Sequence, residues 1–508
     1  MLLMYCHAKL KNISQHTVIS AHLFLPDYSP MNRDSFYPAI ACFPLLLMLA
    51  GCAPMHETRQ ALSQQTPAAQ VDTALPTALK NGWPDSQWWL EYHDNQLTSL
   101  INNALQNAPD MQVAEQRIQL AEAQAKAIAT QDSPQIDFSA DMERQKMSAE
   151  GLMGPFALND PAAGTTGPWY TNGTFGLTAG WHLDIWGKNR AEVTARLGTV
   201  KARAAEREQT RQLLAGSVAR LYWEWQTQAA LNTVLQQIEK EQNTIIATDR
   251  QLYQNGITSS VEGVETDINA SKTRQQLNDV AGKMKIIEAR LSALTNNQTK
   301  SLKLKPVALP KVASQLPDEL GYSLLARRAD LQAAHWYVES SLSTIDAAKA
   351  AFYPDINLMA FLQQDALHLS DLFRHSAQQM GVTAGLTLPI FDSGRLNANL
   401  DIAKAESNLS IASYNKAVVE AVNDVARAAS QVQTLAEKNQ HQAQIERDAL
   451  RVVGLAQARF NAGIIAGSRV SEARIPALRE RANGLLLQGQ WLDASIQLTG
   501  ALGGGYKR

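Results

Sequence analysis

The stretch Phe175-Gly176-Leu177-Thr178-Ala179-Gly180-Trp181-His182-Leu183-Asp184-Ile185 alternates without a slip. In an extended chain successive Cβ atoms point to opposite sides. Phe175, Leu177, Ala179, Trp181, Leu183 and Ile185 therefore share one face, and Gly176, Thr178, Gly180, His182 and Asp184 the other. Later in the chain Val382, Ala384, Leu386, Leu388 and Ile390 alternate in the same way against Gly381, Thr383, Gly385 and Thr387. Runs of about ten residues, apolar on one side and wet on the other, with Trp or Phe near an end, suit a tilted transmembrane strand. A soluble hairpin packed on helices alternates too, so the surroundings must decide.

Those surroundings are duplicated. Asp110-Met111-Gln112-Val113-Ala114 reads against Asp330-Leu331-Gln332-Ala333-Ala334, and Pro134-Gln135-Ile136-Asp137-Phe138 against Pro354-Asp355-Ile356-Asn357-Leu358, both at an offset of 220. Leu183-Asp184-Ile185-Trp186 reads against Leu388-Pro389-Ile390-Phe391, and Arg190 against Arg395, at 205. Tyr253-Gln254-Asn255-Gly256-Ile257 reads against Phe460-Asn461-Ala462-Gly463-Ile464 at 207. The offset changes across Gly151-Leu152-Met153-Gly154-Pro155 and Gly164-Thr165-Thr166-Gly167-Pro168, a turn-rich stretch that tolerates insertion. Each copy reads helix, strand, loop, strand, long helix, turn, long helix. The first helix is expected from Leu97 to Ala129, stopped by Pro134. In the long helices Val193, Leu197, Val200, Ala204, Leu214, Val218, Leu221 and Trp225 recur on steps of three and four, with Arg207 and Arg211 between. Val418, Val422, Val425, Ala429 and Val432 do so in the second copy. Such a step is a coiled-coil seam. Being Ala- and Val-rich with charges inside it, this one suits helices set side by side around a wet lumen.

The 508 residues are 45% hydrophobic and 19% charged with a formal net charge of −2, and no basic block offers a phosphate-tracking surface, which argues against nucleic acid as a partner. The cysteines are Cys6, Cys42 and Cys52, so the body of the chain cannot hold a disulfide or Cys-ligated zinc. Ile40 to Ala50 is mostly apolar and runs into Leu49-Ala50-Gly51-Cys52, which resembles a bacterial lipobox. The run is short of the roughly 20 residues of a spanning helix. Met31, with Asn32 and Arg33, stands at the distance of a start site, leaving residues 1–30 as an upstream extension. The chain then divides into 1–51, extension plus lipoprotein signal peptide; 52–92, a mature N-terminal extension; and two repeats, 93–310 and 311–508. Cys52 would carry diacylglycerol and an N-acyl lipid, and Ala53 after it fits the pattern sent to the outer membrane. No other cofactor is expected.

Leu325-Ala326-Arg327-Arg328-Ala329-Asp330-Leu331, Ala347-Ala348-Lys349-Ala350-Ala351-Phe352-Tyr353-Pro354, Leu388-Pro389-Ile390-Phe391-Asp392-Ser393-Gly394-Arg395, Arg459-Phe460-Asn461-Ala462-Gly463 and Leu502-Gly503-Gly504-Gly505-Tyr506 stand in the order of the TolC/OprM family of outer-membrane efflux channels. The resemblance runs from about Trp88 to the C-terminus and, with the lipobox, points to the lipidated subgroup. Ala329 departs from it, since the family usually has Pro there, and is read as a tolerable change at a helix start. The resemblance implies an α+β fold, mostly helical. Each protomer would give four transmembrane strands, and a homotrimer would close a twelve-stranded barrel continued by a long α-helical periplasmic barrel. It further implies a passive exit duct for drugs or other small toxic compounds, coupled to a periplasmic adaptor protein and an inner-membrane pump, with outer-membrane lipid around the barrel.

A duct needs no catalytic centre. There is no G-x-x-x-x-G-K-[ST] loop, and no Ser/His/Asp or paired-carboxylate constellation stands out. His368 and His375 flank Asp371, but without Cys or a third convergent ligand they make no metal site. Arg327-Arg328 reads as a charged pair at a helix start, solvated or gating. At Asn255-Gly256 and Ala462-Gly463 the chain can reverse between helices, glycine taking positive φ. In the family this is the tip that docks the adaptor and holds the gate, which would involve Tyr253, Gly256, Arg459, Phe460 and Gly463; plain helix caps are the simpler reading. Six residues beyond each glycine stand Glu262 and Arg469, with Glu472 one turn on. Glu262 and Arg469 are expected to pair across a closed tip. The remaining alternative is a non-conducting coiled-coil envelope lipoprotein.

Overall fold

A computed structural model describes residues 55, 61–65, 82–146, 148, 159–160, 165–166, 169–257, 259–297, 302–311 and 321–506. The leader, the lipobox and Cys52 lie outside the described residues.

The first copy contributes α1 (Asn95–Asn107), α2 (Pro109–Ala129), β1 (Gln135–Lys146), β2 (Trp169–Leu183), α3 (Lys188–Gln254) and α4 (Ser260–Leu294). The second contributes α5 (Gly321–Arg327), α6 (Ala329–Ala350), β3 (Asp355–Ala366), β4 (Gln378–Thr387), α7 (Arg395–Asn461) and α8 (Gly467–Ala501). The helix expected over Leu97–Ala129 is two. Ala108 turns extended ahead of Pro109, as a residue before proline must, and proline then serves as the first residue of α2. Arg328 takes the same extended conformation before Ala329, so the second copy keeps the break without the proline.

The duplication is sharper in three dimensions than in the sequence. α3 and α7 have 67 residues each, α4 and α8 have 35 each, and β1 and β3 have 12 each. Gly187 and Gly394 precede the long helices with φ of 78° and 85°, at an offset of 207 that holds through both tips. The block read at 205 is therefore two residues out where it pairs Arg190 with Arg395: Lys188 and Arg395 are the equivalent first residues. Asp184 accepts hydrogen bonds from the Asn189 and Arg190 amides, and Asp392 from those of Gly394 and Leu396, so both helix starts are capped by carboxylates.

The helices stand as four columns. α6 packs between α3 and α7 near the sheet, and α8 takes the same place further away. Arg328 joins the two, its guanidinium gripping Asp330 at 2.7 and 3.0 Å and donating to the Ala501 carbonyl at 3.1 Å. With its side chain 12% exposed, it is a buried clasp over a helix C-terminus rather than a solvated charge. α2 and α4 share the far side of α3, where Met111 and Leu294 meet one apolar cluster.

The expected seam holds from Leu214 downward, where Leu214, Val218 and Trp225 are buried. Nearer the sheet it is wrong. Leu197 and Ala204 are exposed, and the buried stripe is Ala195, Gly198, Ala202 and Ala205. Small residues win because α6 lies so close that a Cβ on Gly198 would meet Ser340 at 3.0 Å. Ser340 also donates to the Ala195 carbonyl at 2.7 Å.

Halfway down, a girdle packs on the columns. Trp88, Trp89, Leu97 and Ile101 bury themselves against Tyr222, Trp223, Leu291 and Ile496. Asp94 caps α1 through the Gln96 and Leu97 amides and accepts from the Tyr222 hydroxyl at 2.7 Å. Burial and that carboxylate push the Tyr222 phenol well above its ordinary range. Gln96 brackets the backbone of Lys305, and Gln226 bonds the Lys305 carbonyl and the Val307 amide, tying residues 302–311 to the wall.

Gly503, Gly504 and Gly505 follow α8 with φ of 95°, 54° and 80°. A Cβ on Gly503 would run into the Arg327 carbonyl, and one on Gly505 into that of Asp85. Gly503→Ala therefore combines left-handed strain with overpacking and should cost about 2–4 kcal/mol. Gly500 in α8 has open space around it, and Gly500→Ala should be neutral or stabilising by up to about 1 kcal/mol. Thermal unfolding in detergent should lower the midpoint for the first variant only.

Candidate functional site

The sheet order is β1-β2-β3-β4, all antiparallel. Its register carries the alternation straight across: Phe138, Leu177, Leu362 and Met380 form one row, and Ile136, Ala179, Ala360 and Val382 the next. These side chains stand on one face, and Val382 is 80% exposed. Asp137, Ser139, Asp141 and Glu143 of β1 share the other with Thr174, Thr178 and His182, Asn357, Gln363 and Asp365, and Gln379 and Thr383. Beside Met359, Phe361 is a large apolar exception on the polar face. Its ring lies over Gly381, where a Cβ would come within 2.8 Å. One face is thus made for lipid and the other for water, and among the described residues neither β1 nor β4 has a strand beyond it. Trp169 stands at one end of β2. Trp181, Trp186 and Phe391 stand at the other, Trp186 stacked on Tyr353 at 4.9 Å. Amphipathic rings belong at such interfaces.

At the far end of the columns both tips are the same turn. Gly256 donates to the Tyr253 carbonyl and Ile257 to that of Leu252; Gly463 donates to Phe460 and Ile464 to Arg459, all at 2.9 Å. This is the Schellman closure, and the glycines take φ of 69° and 74°. Nothing lies within 4 Å of a Cβ at either, so backbone conformation alone demands glycine. The residue after such a glycine ordinarily packs back on its helix. Here Ile257 and Ile464 are about 70% exposed instead, beside Tyr253 and Phe460. The two isoleucines were visible as matched residues of the repeat, but sequence reasoning gave them no role.

The described contacts of Glu262 and Arg469, expected to pair, are local ones. Both occupy the third position of their helices. Glu262 takes a hydrogen bond from its own cap, the Ser259 hydroxyl, at 2.7 Å. Arg469 reaches Glu472 at 2.7 Å, one turn away on the same helix. A partner at i+3 is held close by the helix itself, which a partner on another helix must match at greater entropic cost. The link between the long helices is Arg474, which sequence reasoning missed: from α8 it touches Glu241 of α3 at 3.3 Å and Gln457 of α7 at 3.2 Å. Further rungs are Arg274–Glu239 at 3.0 Å and Arg481–Glu446 at 3.6 Å. Burial lifts the Glu446 carboxyl above its usual range, with Arg481 opposing. Only the three-dimensional pairing of α8 with both long helices brings Arg474 to this place, so no local motif announces it.

His368 and His375 fall in the β3–β4 connection, where Asp371 pairs with Arg374 at 3.2 Å.

The family of outer membrane efflux proteins matches residues 100–297 and 320–504, one block for each copy. The multidrug resistance outer membrane protein MdtQ of Escherichia coli O157:H7 is 99% identical over 478 residues, covering 94% of this chain and 100% of the relative. MdtP of Shigella flexneri, another multidrug resistance outer membrane protein, is 36% identical over 464 residues, 91% of this chain and 94% of that one. The outer membrane protein VceC of Vibrio cholerae superposes with a TM-score of 0.73 at 26% identity, covering 84% of this chain and 100% of VceC. An open sheet with a lipid face and a water face, continued by four helical columns, is the protomer of an outer-membrane channel. The chain belongs to the outer membrane efflux protein family.

Proposed function

We propose that three copies of this chain close a twelve-stranded barrel in the outer membrane and form a passive exit duct for drugs or other small toxic compounds. A periplasmic adaptor and an inner-membrane pump would feed the duct, and Cys52 would carry the diacylglycerol and N-acyl lipid of a lipoprotein. The observation that carries this reading is the sheet: apolar on one face and, among the described residues, unpaired at both edges. In lipid every unpaired backbone group costs several kcal/mol, and closure removes the edges. The outermost columns support closure as well. Val113 and Leu120 of α2 and Val264, Ile268 and Ile286 of α4 are exposed on one flank, and Ile402, Leu409, Val419 and Leu455 of α7 on the other. The names of MdtQ and MdtP support multidrug export. Tyr253, Ile257, Phe460 and Ile464 offer the adaptor an apolar footing at the tips, and Glu262, Arg469, Glu472 and Arg474 put the gate charges beside it.

Two substitutions on adjacent residues separate the faces. Val382→Arg should cost about 2–4 kcal/mol per protomer at mid-membrane and abolish heat-modifiable trimers in outer-membrane fractions. Thr383→Arg should leave trimers intact and shift ion selectivity toward anions in planar bilayers. A Val382→Arg protein that assembles normally overturns the assignment of faces.

At the gate, Arg474→Ala removes two bridging contacts worth about 0.2–1 kcal/mol each. Single-channel conductance should rise for this variant. Arg469→Ala, which breaks a bond inside one helix and none between helices, should change conductance less.

A further inference from the structure

We infer that Asn408 and Asn415 of α7 are a two-rung receptor for the chain's own N-terminal segment, which directs the lipid-bearing end toward the membrane. This deepens the proposed function and rests on its lipidation of Cys52. The Leu62 amide donates to the Asn408 carboxamide oxygen at 2.9 Å. The Gln65 amide donates to the Asn415 oxygen at 2.7 Å, and the Asn415 amide donates back to the Ser63 carbonyl at 3.0 Å. Residues 61–65 have no regular secondary structure of their own, so these side chains stand in for a neighbouring strand.

The spacing fits. Seven residues of α-helix rise about 10.5 Å, and three residues of extended chain advance about 10 Å. Asparagines at i and i+7 on one face of α7 therefore meet backbone amides at j and j+3.

The direction fits as well. α7 begins at Arg395, just after β4, so Asn408 is nearer the sheet than Asn415. The segment runs away from the membrane as its numbers rise, from Leu62 at Asn408 to Gln65 at Asn415. Asn408 lies thirteen residues into α7, about 20 Å along its axis. Cys52 precedes Leu62 by ten residues, a reach of up to about 35 Å. The tether is long enough for an acylated Cys52 to enter the bilayer while the clasp stays closed.

The duplication supplies an internal control. At the offset of 207 the equivalent residues of α3 are Lys201 and Glu208. Lys201 lies over the Trp336 ring at 4.2 Å, and Glu208 pairs with Arg211 at 2.9 Å. Neither can bracket a peptide with a neutral donor and acceptor. The receptor exists in one copy only, as the chain has one N-terminus.

Amide hydrogen exchange on the full-length protein in detergent tests this. Leu62 and Gln65 should be protected in the parent chain. Asn408→Ala/Asn415→Ala should lose about 2- to 10-fold of protection at each amide. Asn415→Asp, which still accepts from Gln65 but cannot donate to Ser63, should fall between. Cys52→Ser should keep the protection, since the asparagines and not the lipid hold the segment. Equal exchange in the parent and the double variant, or protection lost in Cys52→Ser alone, overturns the clasp. Labelled palmitate tests the other premise separately: no label on the parent chain ends the lipid-anchor role and leaves the exchange result standing.

Discussion

A hydrogen-bonding backbone edge in hydrocarbon is the constraint from which the rest of this molecule follows. Four strands with an apolar outer face cannot stay in water, and with two open edges they cannot stay alone in lipid. The protein must present both edges to further copies at a common height and tilt. The long helices meet that requirement mechanically: α3 continues from β2 and α7 from β4, each through an aspartate-capped, glycine-led turn, so the columns inherit the spacing of the strands. A shift of one residue in the sheet register would exchange Val382 for Thr383 at the lipid surface, which is why the register is so strongly held.

The columns face a different difficulty. A wall one helix thick has no deep core, and its members must lie close without one. Near the sheet the answer is small residues, with Gly198 admitting Ser340 almost to backbone contact. At the girdle it is aromatic mass, with Trp88 and Trp89 stacked edge-on beside Tyr222 and Trp223. Towards the tips it is charge, where Glu239, Glu241 and Glu446 on the long helices each meet an arginine of α4 or α8. Exposed ion pairs are weak and adjustable, whereas packed aromatics are neither. The strength of the contacts between columns therefore falls from girdle to tip.

Much of this was legible in the sequence because it rests on periodicity. Alternation over Phe175–Leu183 translates directly into strand faces, and the duplicated Asn-Gly and Ala-Gly turns translate into tips. What escaped depends on partners far apart in the chain. Leu197 looked like seam because leucine is apolar, but α6 approaches on the other side, and only Gly198 and Ala202 could accept it. Glu262 and Arg469 occupy equivalent positions, and the contacts each makes beside its own helix start, with Ser259 and Glu472, were not read from the repeat. Arg328 looked solvated because nothing local reveals that α8 ends beneath it. The glycines at 503–505 were recognisable as a motif, but their reason, the carbonyls of Arg327 and Asp85, lies elsewhere in the chain.

Duplication also explains where specialisation sits. Two copies that share helix lengths of 67 and 35 residues build a wall with near-equal halves, and a ring needs little more. Each departure from equality marks a task done once per chain. Only the second copy carries Asn408 and Asn415, because one N-terminus needs holding. Only the first has the Ser259–Glu262 cap, while Arg469 stands at the matching place and needs Glu472 to offset a cation at a helix N-terminus. The two tips are therefore alike in backbone and unlike in charge.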